Sequence, residues 1–196
     1  MKIKNYILIL LLTLSFTVFS KNDSILVFKT YNDYVNKIGE SYDHMVNYYG
    51  TVKMKITVSK NNKENTIECK KIWGFSYNGH LFRTEERTGQ VGELIVKGNM
   101  CYYENGIAHL EMIRHNTNHE NFSLGYHCYL SKDLSSKLVP FADPAQPDPD
   151  ADKQLKKFKK ANPQYNDLFK AIANDLSYQN IRAKVIVFNR NVSEAK

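Results

Sequence analysis

The chain has 196 residues, 42% of them hydrophobic and 24% charged, with a formal net charge of +7. A mean hydropathy of −0.48 excludes a polytopic membrane protein, and nine glycines without a repeat exclude a collagen-like or glycine-rich low-complexity chain. One domain with a tail is the expectation.

Lys2 and Lys4 precede an apolar run from Tyr6 to Leu12, which continues through Leu14, Phe16 and Val18 to the small residue Ser20. A basic start, an apolar core and a small residue before a polar stretch make a secretory signal peptide, expected over residues 1–20. The run is about 14 residues, short of the roughly 20 needed to cross the hydrocarbon core, which favours a cleaved leader over an anchor. No cysteine lies near the cut, which argues against a lipid-anchored protein. The expected product is periplasmic or secreted and not an integral membrane protein. Cleavage removes two lysines and leaves a formal charge of +5. There is no RNA-binding or helix-turn-helix signature, so nucleic acid is not an expected partner.

Residues 21–139 read as a mainly β domain behind a short helix. Tyr31, Tyr34, Val35 and Ile38 stand at helical spacing after a possible Thr30 cap. Val52, Met54, Ile56 and Val58 then alternate with polar residues, as a strand with one wet face requires. After a polar loop from Lys60 to Asn65, Ile67, Cys69, Lys71, Trp73 and Phe75 are expected to share one strand face. Asn78-Gly79 and Asn105-Gly106 predict tight hairpins, the second joining Met100–Tyr103 to Ile107–Ile113. Val91 to Lys97 and Phe122 to Leu130 add two strands. The fold class expected is α+β: an antiparallel meander of about six strands, curved or half-barrelled, covered by a C-terminal helix.

Residues 140–152 hold four of the five prolines and four aspartates, and read as a linker. Residues 153–196 read as a helical tail packed on the β domain. Leu155 and Phe158 share one side of a lysine-rich stretch, and Asn162-Pro163 reads as the start of a new helix. From Tyr165 an apolar stripe runs through Leu168, Phe169, Ile172 and Ala173 to Leu176. Lys184 to Phe188 is expected to close the chain as a short strand.

Candidate chemistry is sparse. His115 and His119 are four apart with Glu120 adjoining, and His109 and His127 lie nearby. Such histidines could chelate zinc on a helix, but Asn116, Thr117 and Asn118 between them disfavour one. No Gly-x-Ser-x-Gly or phosphate loop exists, and Glu85-Glu86 beside Arg83 and Arg87 reads as a solvated ion-pair face. No cofactor is expected. Cys69, Cys101 and Cys128 allow at most one disulfide, its pairing open, and their apolar neighbours read them as small buried hydrophobes. Aromatic side chains make up 12% of the chain, and Trp73, Phe75 and Tyr126 are the ligand-contacting candidates, in a cleft between the sheet and its helix.

Ile72-Trp73-Gly74-Phe75-Ser76-Tyr77-Asn78-Gly79 resembles a Trp-Gly-Phe segment followed by a polar-Gly turn in uncharacterised exported proteins of Bacteroidota, over residues 65–115. The resemblance implies bacterial export and a hairpin at Asn78-Gly79, and no site residue. The function expected is that of an exported, non-catalytic binding or envelope-associated protein whose partner is an envelope or extracellular ligand or protein. The alternative is a secreted hydrolase or metal-binding protein with a site assembled from His109, His115, His119 and Glu120.

Overall fold

The computed structural model describes residues 24–47, 54–105, 127–141 and 149–194. Ile25–Phe28 forms β1. Thr30 then caps α1 (Tyr31–Val35): its Oγ1 accepts from the Asp33 N–H at 3.1 Å, while Asp33 Oδ2 accepts from the Thr30 N–H at 2.8 Å. The reciprocal pair satisfies donors that a helix start otherwise leaves open. Two short strands follow, β2 (Glu40–Tyr42) and β3 (His44–Asn47).

β4 (Lys55–Lys60) carries the expected alternation, with Ile56 and Val58 buried. Its partner β5 (Lys63–Glu68) returns through a turn of only two residues, Asn61-Asn62, with φ of 52° and 59°. Asparagine tolerates the left-handed region, so the polar loop expected over 60–65 is instead the end of a ladder that runs to Lys60 opposite Lys63. The next hairpin, β6 (Gly74–Tyr77) to β7 (His80–Thr84), turns at Asn78-Gly79 with φ of 51° and 79°, as expected. Then come β8 (Val91–Val96), β9 (Cys101–Glu104), β10 (Cys128–Ser131) and β11 (Val139–Phe141).

The fold is α+β and its sheets are antiparallel. The described residues form two sheets: eight strands ordered β11-β10-β9-β8-β7-β6-β1-β2, and three ordered β3-β4-β5. The larger sheet is open and has more than the six strands expected, because the short elements β1, β2 and β11 carry too little alternation to read as strands. The strand expected to run from Ile67 to Phe75 is broken by a 3-10 turn at Cys69–Lys71. Both edges of β9 are taken, by β8 and β10, so its partner is not the Ile107–Ile113 segment that Asn105-Gly106 suggested; residues 106–126 lie outside the described ones.

One face of the larger sheet is buried in two ways. At the β1–β6–β7 end, Ile25, Val27, Phe75 and Phe82 pack on Ile56 and Val58 of the smaller sheet. At the β8–β11 end, Tyr102, Leu130 and Phe141 pack on three helices: α2 (Pro149–Ala161), α3 (Asn166–Ile172, after a 3-10 turn at Pro163–Tyr165) and α4 (Tyr178–Glu194). Each fully buried large apolar side chain contributes roughly 1.5–3 kcal/mol. Two polar devices fix α4 in place. Arg182 makes a forked pair with the buried Glu104 (Nε to Oε1 3.1 Å, Nη2 to Oε2 2.6 Å), and Asn189 bonds both backbone groups of Met100, at 2.9 and 2.8 Å.

The C-terminal half departs from expectation at three places. Pro140 belongs to β11, opposite Tyr129, and Pro149 opens α2, so residues 140–141 and 149–152 are ordered structure rather than linker. An edge strand accepts proline because its outer N–H has no partner to lose, and the first turn of a helix accepts it for the same reason. The stripe from Tyr165 ends at Ile172, and Leu176 is exposed. Lys184 to Phe188 is helical, inside α4, because Ile181, Val185 and Asn189 recur every four residues on one buried face. Among the described residues no helix is long and apolar enough to cross a membrane.

Candidate functional site

Phe75 is fully buried, its ring stacked on Phe82 with centroids 4.9 Å apart, and it is core rather than cleft. Trp73 lies on the opposite face. It is stacked on Tyr34 at 5.0 Å, tilted against Tyr31 at 5.6 Å, and covered by the Arg83 guanidinium at 4.0 Å from its centroid. The cation position over the indole is therefore filled from within. Its Nε1 is shut off from solvent without a hydrogen-bond partner, so ring contacts and the guanidinium hold the indole. The two residues fall on opposite sides because the alternation slips at Trp73-Gly74, where the backbone comes so close to β7 that a Cβ on Gly74 would collide with the Phe82 carbonyl oxygen. Tyr126, His109, His115, His119 and Glu120 lie outside the described residues.

Arg83 is the buried cation that sequence reading placed on a solvated face. Only 2% of it is exposed. It donates through Nε to the Trp73 carbonyl and through Nη1 and Nη2 to those of Leu134 and Ser136. Burial pushes its pKa down, and the Tyr103 hydroxyl beside it opposes that shift. The guanidinium thus ties the 132–138 segment to the sheet. Asp133 folds the same segment from within, accepting at Oδ1 from the backbone and hydroxyl of both Ser135 and Ser136. Those bonds, the Ser135 hydroxyl first, hold its carboxyl below the usual range.

Glu85 is also buried, and its carboxylate is consumed by its own turn: Oε1 accepts from Arg87 N at 3.0 Å, and Oε2 from Thr88 N at 2.7 Å and Thr88 Oγ1 at 2.6 Å. Glu86 faces outward and pairs with Lys137, while Arg87 reaches Asp150 at 3.7 Å. Glu85 and Arg83 therefore correct the ion-pair reading; only Glu86 and Arg87 sit on a solvated face. Cys69, Cys101 and Cys128 are buried and none is in a disulfide. Burial pushes the Cys69 thiol up to about 12, which leaves it protonated and unreactive at neutral pH. Among the described residues no group of histidine, cysteine or acidic side chains is placed to hold a metal ion.

The turn of Glu85–Arg87, the tied segment at Lys137–Val139 and the outer half of α2 do not close on one another. They bound a cleft of about 590 Å³ at the β11 edge. Leu138, Val139 and Phe158 supply apolar surface, and Arg87, Lys137 and Lys157 the cationic lip. Phe158 is fixed there by stacking on Tyr165, with centroids 5.9 Å apart and planes within 8°. Asn162 Nδ2 donates to the Phe158 carbonyl at 2.8 Å, so that orphan group at the helix end is satisfied. The lining holds no histidine, cysteine, serine or threonine. A smaller cleft of about 410 Å³ is lined by Asn99, Asp133, Tyr165 and Phe188 among others.

The cleft expected lay between the sheet and the apolar stripe from Tyr165 to Leu176, whereas the larger cleft lies beside α2 and holds no residue of that stripe. Neither cleft is lined by Trp73 or Phe75. The larger is assembled from segments 85–87, 137–139 and 154–162, too far apart in the chain for any local pattern to mark them. No family model matches the chain, and no curated protein and no solved structure matches it.

Proposed function

We propose that this is an exported, non-catalytic binding protein of the cell envelope or its surroundings, and that the cleft between α2 and the β11 edge is where it takes its ligand. The observation that carries this reading is the composition of that cleft: an apolar floor and a charged lip, with no histidine, cysteine, serine or threonine in the lining, the Glu85 carboxylate bound into its own turn and Glu86 paired with Lys137. Such a surface is suited to holding a molecule by apolar contact and charge. Export rests on the basic and apolar order of residues 2–20, and the mature N-terminus is expected at Lys21 or within a few residues of it, which mass spectrometry of the exported protein reads directly.

Binding is tested with N-phenyl-1-naphthylamine, a neutral apolar dye that brightens out of water. Saturable one-site binding that is lost in Ala161→Trp supports the reading. Ala161 is exposed and lines the cleft, so the larger ring fills the space without entering the core. Binding without saturation, or binding that Ala161→Trp leaves intact, contradicts it.

A further inference from the structure

The charges around the cleft are not equally spent. Lys137 is paired with Glu86 and Arg87 with Asp150, and the Glu85 carboxylate is turned into its own loop. Lys157 stands exposed at the lip, and no carboxylate among the described residues lies within ion-pair distance of it. Lys153, Lys156 and Lys160 are exposed farther round α2, outside the cleft lining, with no ion-pair partner among the described residues, and add to the positive field of the helix surface. Lys159, by contrast, is turned away over the Phe169 ring at 4.6 Å, and burial lowers its pKa. The apolar floor of Leu138, Val139 and Phe158 lies directly inside this lip. A concave, partly apolar wall beside uncompensated cations concentrates anions of the right shape.

Resting on the reading of the cleft as a binding site, we infer that its ligand is an amphipathic anion, a carboxylate-, phosphate- or sulfonate-bearing molecule whose apolar body lies on Phe158 and Val139 while Lys157 meets the charge. A charge-assisted hydrogen bond at a half-open lip contributes about tenfold in affinity.

Two dyes separate this inference from the reading beneath it. 8-Anilinonaphthalene-1-sulfonate carries a sulfonate on nearly the apolar body of N-phenyl-1-naphthylamine. The anionic dye is expected to bind about tenfold tighter than the neutral one in 50 mM salt. Lys157→Gln should bring the ratio of the two affinities close to one, and Lys184→Gln, on exposed α4 surface outside the cleft, should leave that ratio at about ten. Raising salt to 500 mM should weaken the anionic dye alone. Equal affinities that Lys157→Gln does not alter would overturn the anion preference and leave the cleft standing, whereas saturable binding of neither dye would overturn both.

Discussion

At its β1–β6–β7 end the large sheet meets another sheet, and at its β8–β11 end it meets helices. The first junction is closed by apolar side chains, Phe75 and Phe82 stacked on each other in the large sheet and packed on Ile56 and Val58 of the smaller one. The second combines apolar contact with discrete polar pins, Arg182 on Glu104 and Asn189 on the Met100 backbone. Where those pins act, α4 lies tight on the sheet. Beyond them, at the β11 edge, α2 is held by Ala151 and Leu155 on its inner face, and its outer half stands over a cleft. Two sheets can close on each other along a whole face, but a helix laid at a sheet edge covers it only along a stripe. The candidate site lies where that stripe ends.

The largest loss of stability is expected at the sheet–sheet junction. Phe75→Ala should destabilise by about 3–5 kcal/mol in a denaturant melt, with all secondary structure lost together. Arg182→Ala removes the forked partner of a carboxylate whose side chain is 1% exposed and should cost about 3 kcal/mol. Here the loss should be uneven, with α4 amides losing exchange protection before those of β6. Asn189→Ala leaves both Met100 backbone groups unbonded and should cost about 2 kcal/mol with the same uneven pattern. If either variant opened the two ends equally, the sheet would be one cooperative unit and the contrast between its halves would fail.

These variants also separate what the sequence makes legible from what it hides. Thr30 and Asp33 announce α1, the alternation of Ile56 and Val58 announces β4, and Asn78-Gly79 announces its hairpin, because each signal is complete within a few residues. Val185-Ile186-Val187 looks like a strand by propensity, yet the contacts that make it helical are Ile181 and Val185 against the sheet and Asn189 against Met100, 89 positions away. β-branched residues tolerate a helix when packing rewards it. Arg83 was hidden for a related reason. Its partners are the carbonyls of Leu134 and Ser136, about fifty residues on, and a charged letter in a strand gives no sign that distant backbone will solvate it. The aromatic content was visible, but whether Trp73 faces a ligand or Arg83 depended on a slip in alternation at Gly74 that no period-2 reading contains.

Smaller effects sharpen the account around the cleft. The Asp133 carboxyl titrates below its usual value, so its contribution to stability is present above about pH 4 and is lost as pH falls through the lowered value. Because Asp133 is partly solvated the effect should stay under about 1 kcal/mol. Asp133→Asn should flatten the stability curve below about pH 4, and an unchanged curve would mean that Arg83 alone holds the 132–138 segment. Smallest of all, Lys157→Gln should leave the melting midpoint within about 0.5 kcal/mol of the parent, as expected of an exposed side chain without a partner.

On the function proposed, binding occurs at the helix–sheet boundary and not on the aromatic face. The most direct measurement is a map of amide chemical shifts during titration with 8-anilinonaphthalene-1-sulfonate. The shifts should concentrate at Arg87, Val139, Gln154, Lys157 and Phe158 and leave Tyr31, Tyr34 and Trp73 in place. Shifts centred on Tyr31, Tyr34 and Trp73 with residues 154–162 unmoved would contradict it.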